Sequence, residues 1–329
     1  MNKKVVVFGG GTGMSTLLRG LKNFPLDISA VVSVCDDGKS TGKLRKEFNQ
    51  PAVGDIRRVI ISLSETEPLV EKMLNYRFDT YTDLNGHTVG NLLLTAATNI
   101  SGNMSDGIEA LSKTLNLKGR VLPLTEDNVV LMAKMADGNI IEGENNITSY
   151  RGVIKNVYYK KKPIINNAVL DSLGNADYII LSMGSLYTSI LPNLICSEIV
   201  KAIDKSKAEI LYVCNMMTQP GETDGFKVSD HIKLINKHLG KKKINTVFVN
   251  DEKIPKEIQK KYESLEQKDT VEIDCEHIPS NVEIIRAKLV LLEGGYIRHK
   301  YNRLASHIFM KTIEEWFYVI YIDIEKRNN

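Results

Sequence analysis

Three clusters in this chain place small and charged residues directly behind apolar runs, where they could do chemistry. The first is Gly9-Gly10-Gly11-Thr12-Gly13. Glycine lets a backbone approach a ligand closely, and a helix starting behind it favours an anion such as a phosphate. The dinucleotide-binding fingerprint fails, however, because the third glycine it needs falls on Met14 or Thr16. The second cluster is Asp36-Asp37, about twenty residues on, where an acid could bind ribose hydroxyls. Such a pair could also hold Mg2+ against a diphosphate, or cap amides of its own loop. The third, Gly38-Lys39-Ser40-Thr41, copies the end of a P-loop. The glycine that would wrap the phosphates is replaced by Ser33, and no apolar helix is expected behind the lysine. An ATPase or GTPase is therefore not expected.

Further polar loops follow the same logic. Gly54-Asp55-Ile56-Arg57-Arg58 reads as a helix start with Asp55 as N-cap. Cations in a first turn oppose the helix dipole, so Arg57 or Arg58 needs an anionic partner: a phosphate, Asp36 or Asp37. His87, in Asn85–Asn91, could be a general acid, a phosphate contact or neither. Gly184-Ser185 and the run Asn215–Gly225, which contains Thr218 and Gln219, follow two later apolar runs.

The elements that must position these loops alternate along the chain. Residues 3–8, 28–34, 178–183, 209–215 and 245–250 read as strands rich in β-branched residues. Met14, Leu17, Leu18 and Leu21 mark one apolar helix face, and Ile56, Val59, Ile60 and Leu63 mark another. Helices are also expected around 92–100 and 108–115. Alternation of this kind predicts a parallel sheet, with ligands outside the carboxyl ends of its strands. Around 126–160 the pattern changes: strand-like runs flank Asp137-Gly138, a hairpin signal, and suggest an antiparallel insertion. Residues 252–269 read as a solvated helix, and an amphipathic stretch from Asn302 to Trp316 closes the chain.

Bulk properties exclude several classes. The 329 residues are 43% hydrophobic and 25% charged, enough to bury a sizeable core. A net charge of +3 does not suggest a nucleic-acid binder. The four cysteines form no CxxC pair, which suggests reduced thiols. The apolar runs are too short for a signal peptide or a membrane span, so a cytoplasmic protein is expected.

Taken together, "GGGTGMSTLLRGLK", "CDDGKSTGKLR", "GDIRRV", "NGHTVGNLLL", "GSLYTSILPNL", "CNMMTQPGETDGF" and "GGYIRH" resemble the YvcK family, also called GlmR or gluconeogenesis factor. This is a branch of the CofD-like superfamily, and the resemblance runs from residue 5 to about 300. It implies a single α/β domain over 1–329, three-layered and Rossmann-like, with a mostly parallel sheet and a small antiparallel excursion. It also implies a cytoplasmic regulator that binds UDP-N-acetylglucosamine and controls envelope precursor supply and cell shape during gluconeogenic growth. Such a regulator would act through a protein partner, such as an amino-sugar synthesis enzyme, and is expected as a homo-oligomer.

The resemblance places a diphosphate near Gly10, Gly11, Thr12 and Gly13 and near Asn215–Thr218. Asp36, Asp37, Gly184, Ser185 and Gln219 complete the expected nucleotide-binding set. Tyr262 and Arg298 match positions suited to a nucleotide sugar, one as an aromatic face and one as a phosphate-binding guanidinium. The alternative is a CofD-like transferase, moving a phospho group from a nucleoside-diphosphate adduct with Mg2+ held by Asp37 and Asp55. NAD(P) is a weaker candidate cofactor. Three departures from the family pattern stand out. Lys39 replaces a glycine and would add a phosphate contact if it faced the ligand. Ser182-Met183 stand where a tighter Gly-Pro turn is usual. Lys300-Tyr301 follow His299 where an acid, and sometimes a threonine, is usual, so threonine phosphorylation is not expected there.

Overall fold

Strand β1, Lys3–Gly9, shows how the sheet is built. Val5 to Phe8 are all buried, on both faces of the strand, as in parallel sheets covered on each side. The computed structural model describes residues 2–266, 268–294 and 296–328. In it, β1 pairs in parallel with β2 (Leu26–Val32), which pairs with β3 (Arg120–Pro123). Three further strands, β4 (Leu131–Met135), β5 (Ile140–Glu142) and β6 (Ile154–Tyr159), form a separate antiparallel sheet in the order β5-β4-β6. Gly138, at φ +95°, turns β4 into β5 at the expected Asp-Gly hairpin.

The chain then returns to the main sheet with β7 (Tyr178–Leu181), β8 (Glu209–Val213), β9 (Thr246–Asn250) and β10 (Glu283–Ala287). The order is β10-β9-β8-β7-β1-β2-β3, and every pairing is parallel. The strand order therefore reverses between β1 and β7, which opens a crevice at their carboxyl ends. A hairpin of β11 (Val290–Glu293) and β12 (Tyr296–His299) stands apart.

Helix α1 (Gly11–Leu21) buries Met14, Leu17, Leu18 and Leu21 against the sheet. Each such side chain contributes about 1.5–3 kcal/mol by leaving water. The C-terminal helix, Tyr301–Asn328, covers α1 from outside, with Leu304, Ala305 and Ile308 fully buried. No single helix among the described residues is long and apolar enough to cross a membrane.

Two local expectations need correction. A helix, α2 (Lys39–Phe48), does start behind the acids. Its buried face carries Ser40, Thr41 and Arg45 with only Leu44 apolar, so no apolar periodicity announces it. Arg45 holds it down by donating to the Cys35 and Asp36 carbonyls, at 3.1 and 3.0 Å, and to Asn128. Asp55 does not cap the next helix, α3 (Gly54–Leu63), because Val53 is the N-cap. Asp55 sits one turn position inside and faces the glycine loop instead.

Candidate functional site

The glycine loop is a partition with a different environment on each side. Gly11 enters α1 at φ +61°, a conformation that L side chains rarely adopt. A methyl on Gly10 would stand 2.6 Å from Asp55 Oδ2. One on Gly13 would stand 1.9 Å from the Met183 carbonyl oxygen. Asp55 thus packs on one side of the loop and the turn after β7 on the other. The approach at Gly13 meets backbone and requires glycine, whereas that at Gly10 meets side-chain atoms that must turn aside for a methyl.

On the first side, carboxylates crowd together. Asp36 accepts from the Gly38 amide at 3.0 Å and from Thr41 Oγ1 at 2.9 Å. Asp37 accepts from the Asn145 amide at 2.8 Å, at the start of the helix Glu144–Tyr150. Asp55 accepts from the Gly11 amide, and Arg58 lies 3.4 Å away. Burial, reinforced by Asp36, pushes the Asp55 carboxyl up to about 6. Glu144 joins this group from the antiparallel excursion and hydrogen-bonds Thr188. Burial, then Asp36 and Asp55, pushes Glu144 up to about 8. Asp36, rather than Asp37, is therefore the acid most strongly felt by Asp55. Arg57 is buried and donates to Asn75 Oδ1 at 2.6 Å. Nearby, His87 Nδ1 and Ser40 Oγ are 3.0 Å apart, and Asn91 donates to the same hydroxyl at 3.1 Å. His87 is thus buried in a structural network. Among the described residues, no group of three or more His, Cys, Asp or Glu side chains is placed to hold a metal ion.

On the second side lies an open cleft of about 370 Å3. Thr12 and Gly13 form its glycine-loop wall, Gly184 and Ser185 the wall after β7, and Asn215, Thr218 and Gln219 the wall after β8. Tyr262, Tyr296, Arg298 and His299 close it. Asn215 bridges two walls, accepting from the Gly184 amide at 3.0 Å and donating to its carbonyl at 2.7 Å. Ser185 donates to the buried carboxylate of Glu222. Tyr262 is buried, and its hydroxyl accepts from the Ile297 amide at 2.7 Å. That bond pins the hairpin strand β12 over the cleft. The Arg298 guanidinium lies 5.6 Å from the Tyr296 ring centroid, with Lys261 at 5.5 Å from the same ring. A larger cleft of about 490 Å3 adjoins this one through Asn215 and Met216.

The structure thus divides the expected binding residues into two groups. Thr12, Gly13, Gly184, Ser185, Asn215, Thr218, Gln219, Tyr262 and Arg298 line the cleft. Asp36, Asp37 and Asp55 stand behind the loop, with Gly10 and Gly11 against Asp55. Lys39 is exposed, in the left-handed conformation at φ +33°. That conformation accounts for the glycine usual at this position, and the Lys39 side chain does not line the cleft. Glu144, Glu222 and His299 were not singled out from the sequence. In the "GGYIRH" run His299 directly follows Arg298.

A sequence profile described as 2-phospho-L-lactate transferase CofD matches residues 5–290. The chain belongs to the CofD-like family. It is 46% identical over 305 residues to the gluconeogenesis factor of Bacillus subtilis, covering 92% of this chain and 96% of that protein. Against a Thermotoga maritima protein described as a putative gluconeogenesis factor it is 44% identical, covering 95% of this chain and all of that one. A crystal structure of a Bacillus halodurans protein superposes with a TM-score of 0.90 at 42% identity, over 94% of this chain and 100% of that one. This CofD-like chain therefore shares its fold with the Bacillus halodurans protein and near-complete length with the Bacillus subtilis and Thermotoga maritima proteins.

Proposed function

We infer that the chain is a nucleotide-sugar-binding regulator that takes UDP-N-acetylglucosamine or a related nucleoside diphosphate in the cleft beside Gly13. The observation carrying this reading is the cleft itself. An uncapped helix N-terminus, an exposed guanidinium and two tyrosines meet at the switch point of the sheet. Backbone amides at a helix start and Arg298 suit a diphosphate, while the rings suit a base or a sugar. The adjoining larger cleft leaves room for a ligand of two parts. The gluconeogenesis-factor relatives support a role in carbon metabolism; on this reading the protein acts in the cytoplasm on envelope precursor supply, through a partner enzyme.

A second reading, a CofD-like group transfer, rests on the acid side. The crowded carboxylates suit a hard cation in chemical type, with Asp55 and Asp37 or Asp36 as oxygen ligands. Mg2+ held there would neutralise diphosphate charge. Two features favour the regulator: Asp37 and Asp55 already accept backbone amides, and they lie across the loop from the cleft.

Isothermal titration with UDP-N-acetylglucosamine, GDP and NAD+, with and without Mg2+, separates the two. The regulator reading expects saturable UDP-sugar binding without Mg2+, weakened about 10-fold or more in Arg298→Ala, as for loss of one charged hydrogen bond. Binding of GDP alone, strictly dependent on Mg2+ and lost in Asp55→Asn, would favour the transferase.

A further inference from the structure

Most polar atoms around the cleft already have partners. Asn215 is spent on Gly184, and Thr218 Oγ1 accepts from the Asp269 amide at 2.8 Å. Lys268 Nζ donates to Glu266 at 2.7 Å. Two atoms differ: Gln219 Oε1 and His299 Nε2 are buried with no hydrogen-bond partner among the described residues. His299 also hydrogen-bonds the Cys214 backbone, which, with Nε2 bare, falls to Nδ1. Burial pushes the imidazole down to about 4, so at neutral pH it is uncharged. Its Nε2 then carries a lone pair and no proton, and an amide oxygen is likewise acceptor only.

A buried acceptor without a donor costs about 1–3 kcal/mol, and two in one cleft call for donors from a ligand. They also repel phosphate oxygens, which carry only lone pairs. The cleft therefore has two unlike edges. Thr12, Gly13 and Arg298 offer amides and a cation, whereas the unpartnered atoms of Gln219 and His299, Oε1 and Nε2, are acceptors. A bare anion satisfies the first edge and leaves the second unsatisfied. A sugar ring, with adjacent hydroxyl donors, satisfies the second.

We propose that His299 Nε2 and Gln219 Oε1 form a neutral acceptor pair that reads the hydroxyl groups of a sugar ring, making the cleft selective for a glycosyl- or ribosyl-bearing diphosphate over a bare one. This rests on the nucleotide-sugar reading above and names the residues that set its selectivity. The test titrates the full chain, His299→Phe and Gln219→Met with UDP-N-acetylglucosamine, UDP and inorganic pyrophosphate. Each variant should lose about 5- to 150-fold in affinity for a ligand carrying the ring being read, with pyrophosphate binding unchanged. Loss with the UDP-sugar alone assigns the hexose, and loss with UDP as well assigns the ribose. Variants that bind all three ligands as the wild type does, or that lose pyrophosphate equally, overturn the pair. Imidazole 15N spectra of the wild-type protein give a readout independent of variant folding. The His299 Nε2 resonance must shift on saturation with the UDP-sugar, and an unmoved resonance overturns the proposal. Failure of the wild type to bind any nucleotide would instead sink the nucleotide-sugar reading itself.

Discussion

The two sides of the glycine loop solve opposite electrostatic problems. Behind Gly10 the protein crowds Asp36, Asp55 and Glu144, so that two of them hold their protons well above the usual carboxylate range. Beyond Gly13 the cleft is lined mostly by neutral or cationic groups, its one acid, Glu266, is paired with Lys268, and two acceptors there lack donors. Like charges in a buried space ask for a cation or a proton. Unpaired acceptors ask for a hydroxyl or an amide. A molecule carrying both a metal-bound diphosphate and a sugar would satisfy each side. The acid side is nonetheless stabilised by its own amides and threonines, whereas the cleft side is left open. The first is a crowded support, and the second is, on the proposed reading, a receptor.

The sharpest way to break this arrangement is to thicken the partition on the cleft side. Gly13→Ala would drive a methyl to 1.9 Å from the Met183 carbonyl oxygen and 2.7 Å from its carbon. Neither is a flexible side-chain tip, so the loops must separate. A loss of about 3 kcal/mol, the upper end of ordinary overpacking, is expected by calorimetric melting, together with loss of ligand binding. Gly10→Ala meets only Asp55 Oδ2 and Ser33 Oγ, which can rotate away, and should cost less. Equal stability of Gly13→Ala and wild type would mean that the two walls do not touch.

The acid side is tested by pH. The folded Glu144 carboxyl holds its proton up to about 8, whereas the unfolded one releases it near 4.5. Between those values the folded state binds more protons, so stability falls as pH rises. Asp55, pushed to about 6, acts in the same direction at lower pH. His231 and His299, pushed down to about 4 by burial, act oppositely between about 4 and 6.5. The clean window is therefore pH 6.5 to 8. There the unliganded protein should lose up to about 2 kcal/mol, the limit for one proton over that span. Glu144→Gln should flatten that slope. A melting temperature that rises across the window in wild type would contradict the crowding.

What was legible in the sequence follows the same division. The cleft walls were visible because Gly9–Gly13, Gly184-Ser185 and Asn215–Gly225 each follow a strand buried on both faces, which reads as an apolar run. Edge strands were not: Arg120–Pro123 and Glu283–Ala287 carry exposed charged residues that interrupt such a run. Helix α2 was hidden because its inward face binds carbonyls through Arg45 rather than burying an apolar stripe. Glu144 lies 107 or more residues from the acids Asp36 and Asp37 it joins, and only the fold of the excursion brings it back. The importance of His299 depends on burial and on a missing partner, and neither has a sequence pattern. The expected binding set includes Tyr262, Arg298 and Gln219, all of which line the cleft, but not His299.

The smallest expected effect concerns Lys39, which belongs to the acid loop and departs from its pattern. Its φ of +33° lies where an L side chain costs about 1–2 kcal/mol. Lys39→Gly removes that strain but gives the unfolded chain more freedom, which offsets about 1 kcal/mol of the gain. It also removes a cation next to Asp36 and Asp37 in the chain. The backbone and charge effects separate with salt, because exposed charges are screened within about 10 Å at 0.1 M. At high salt Lys39→Gly should match the wild type or exceed it by at most about 1 kcal/mol. At low salt it should fall below, as the acids lose their neighbour. Lys39→Ala keeps the strained backbone and loses the charge, so it should be the least stable of the three at low salt. If alanine proves as stable as glycine at both salt concentrations, the left-handed strain is absent. The lysine then stands in the loop for its charge alone, and the acid side is less self-sufficient than its amide bonds suggest.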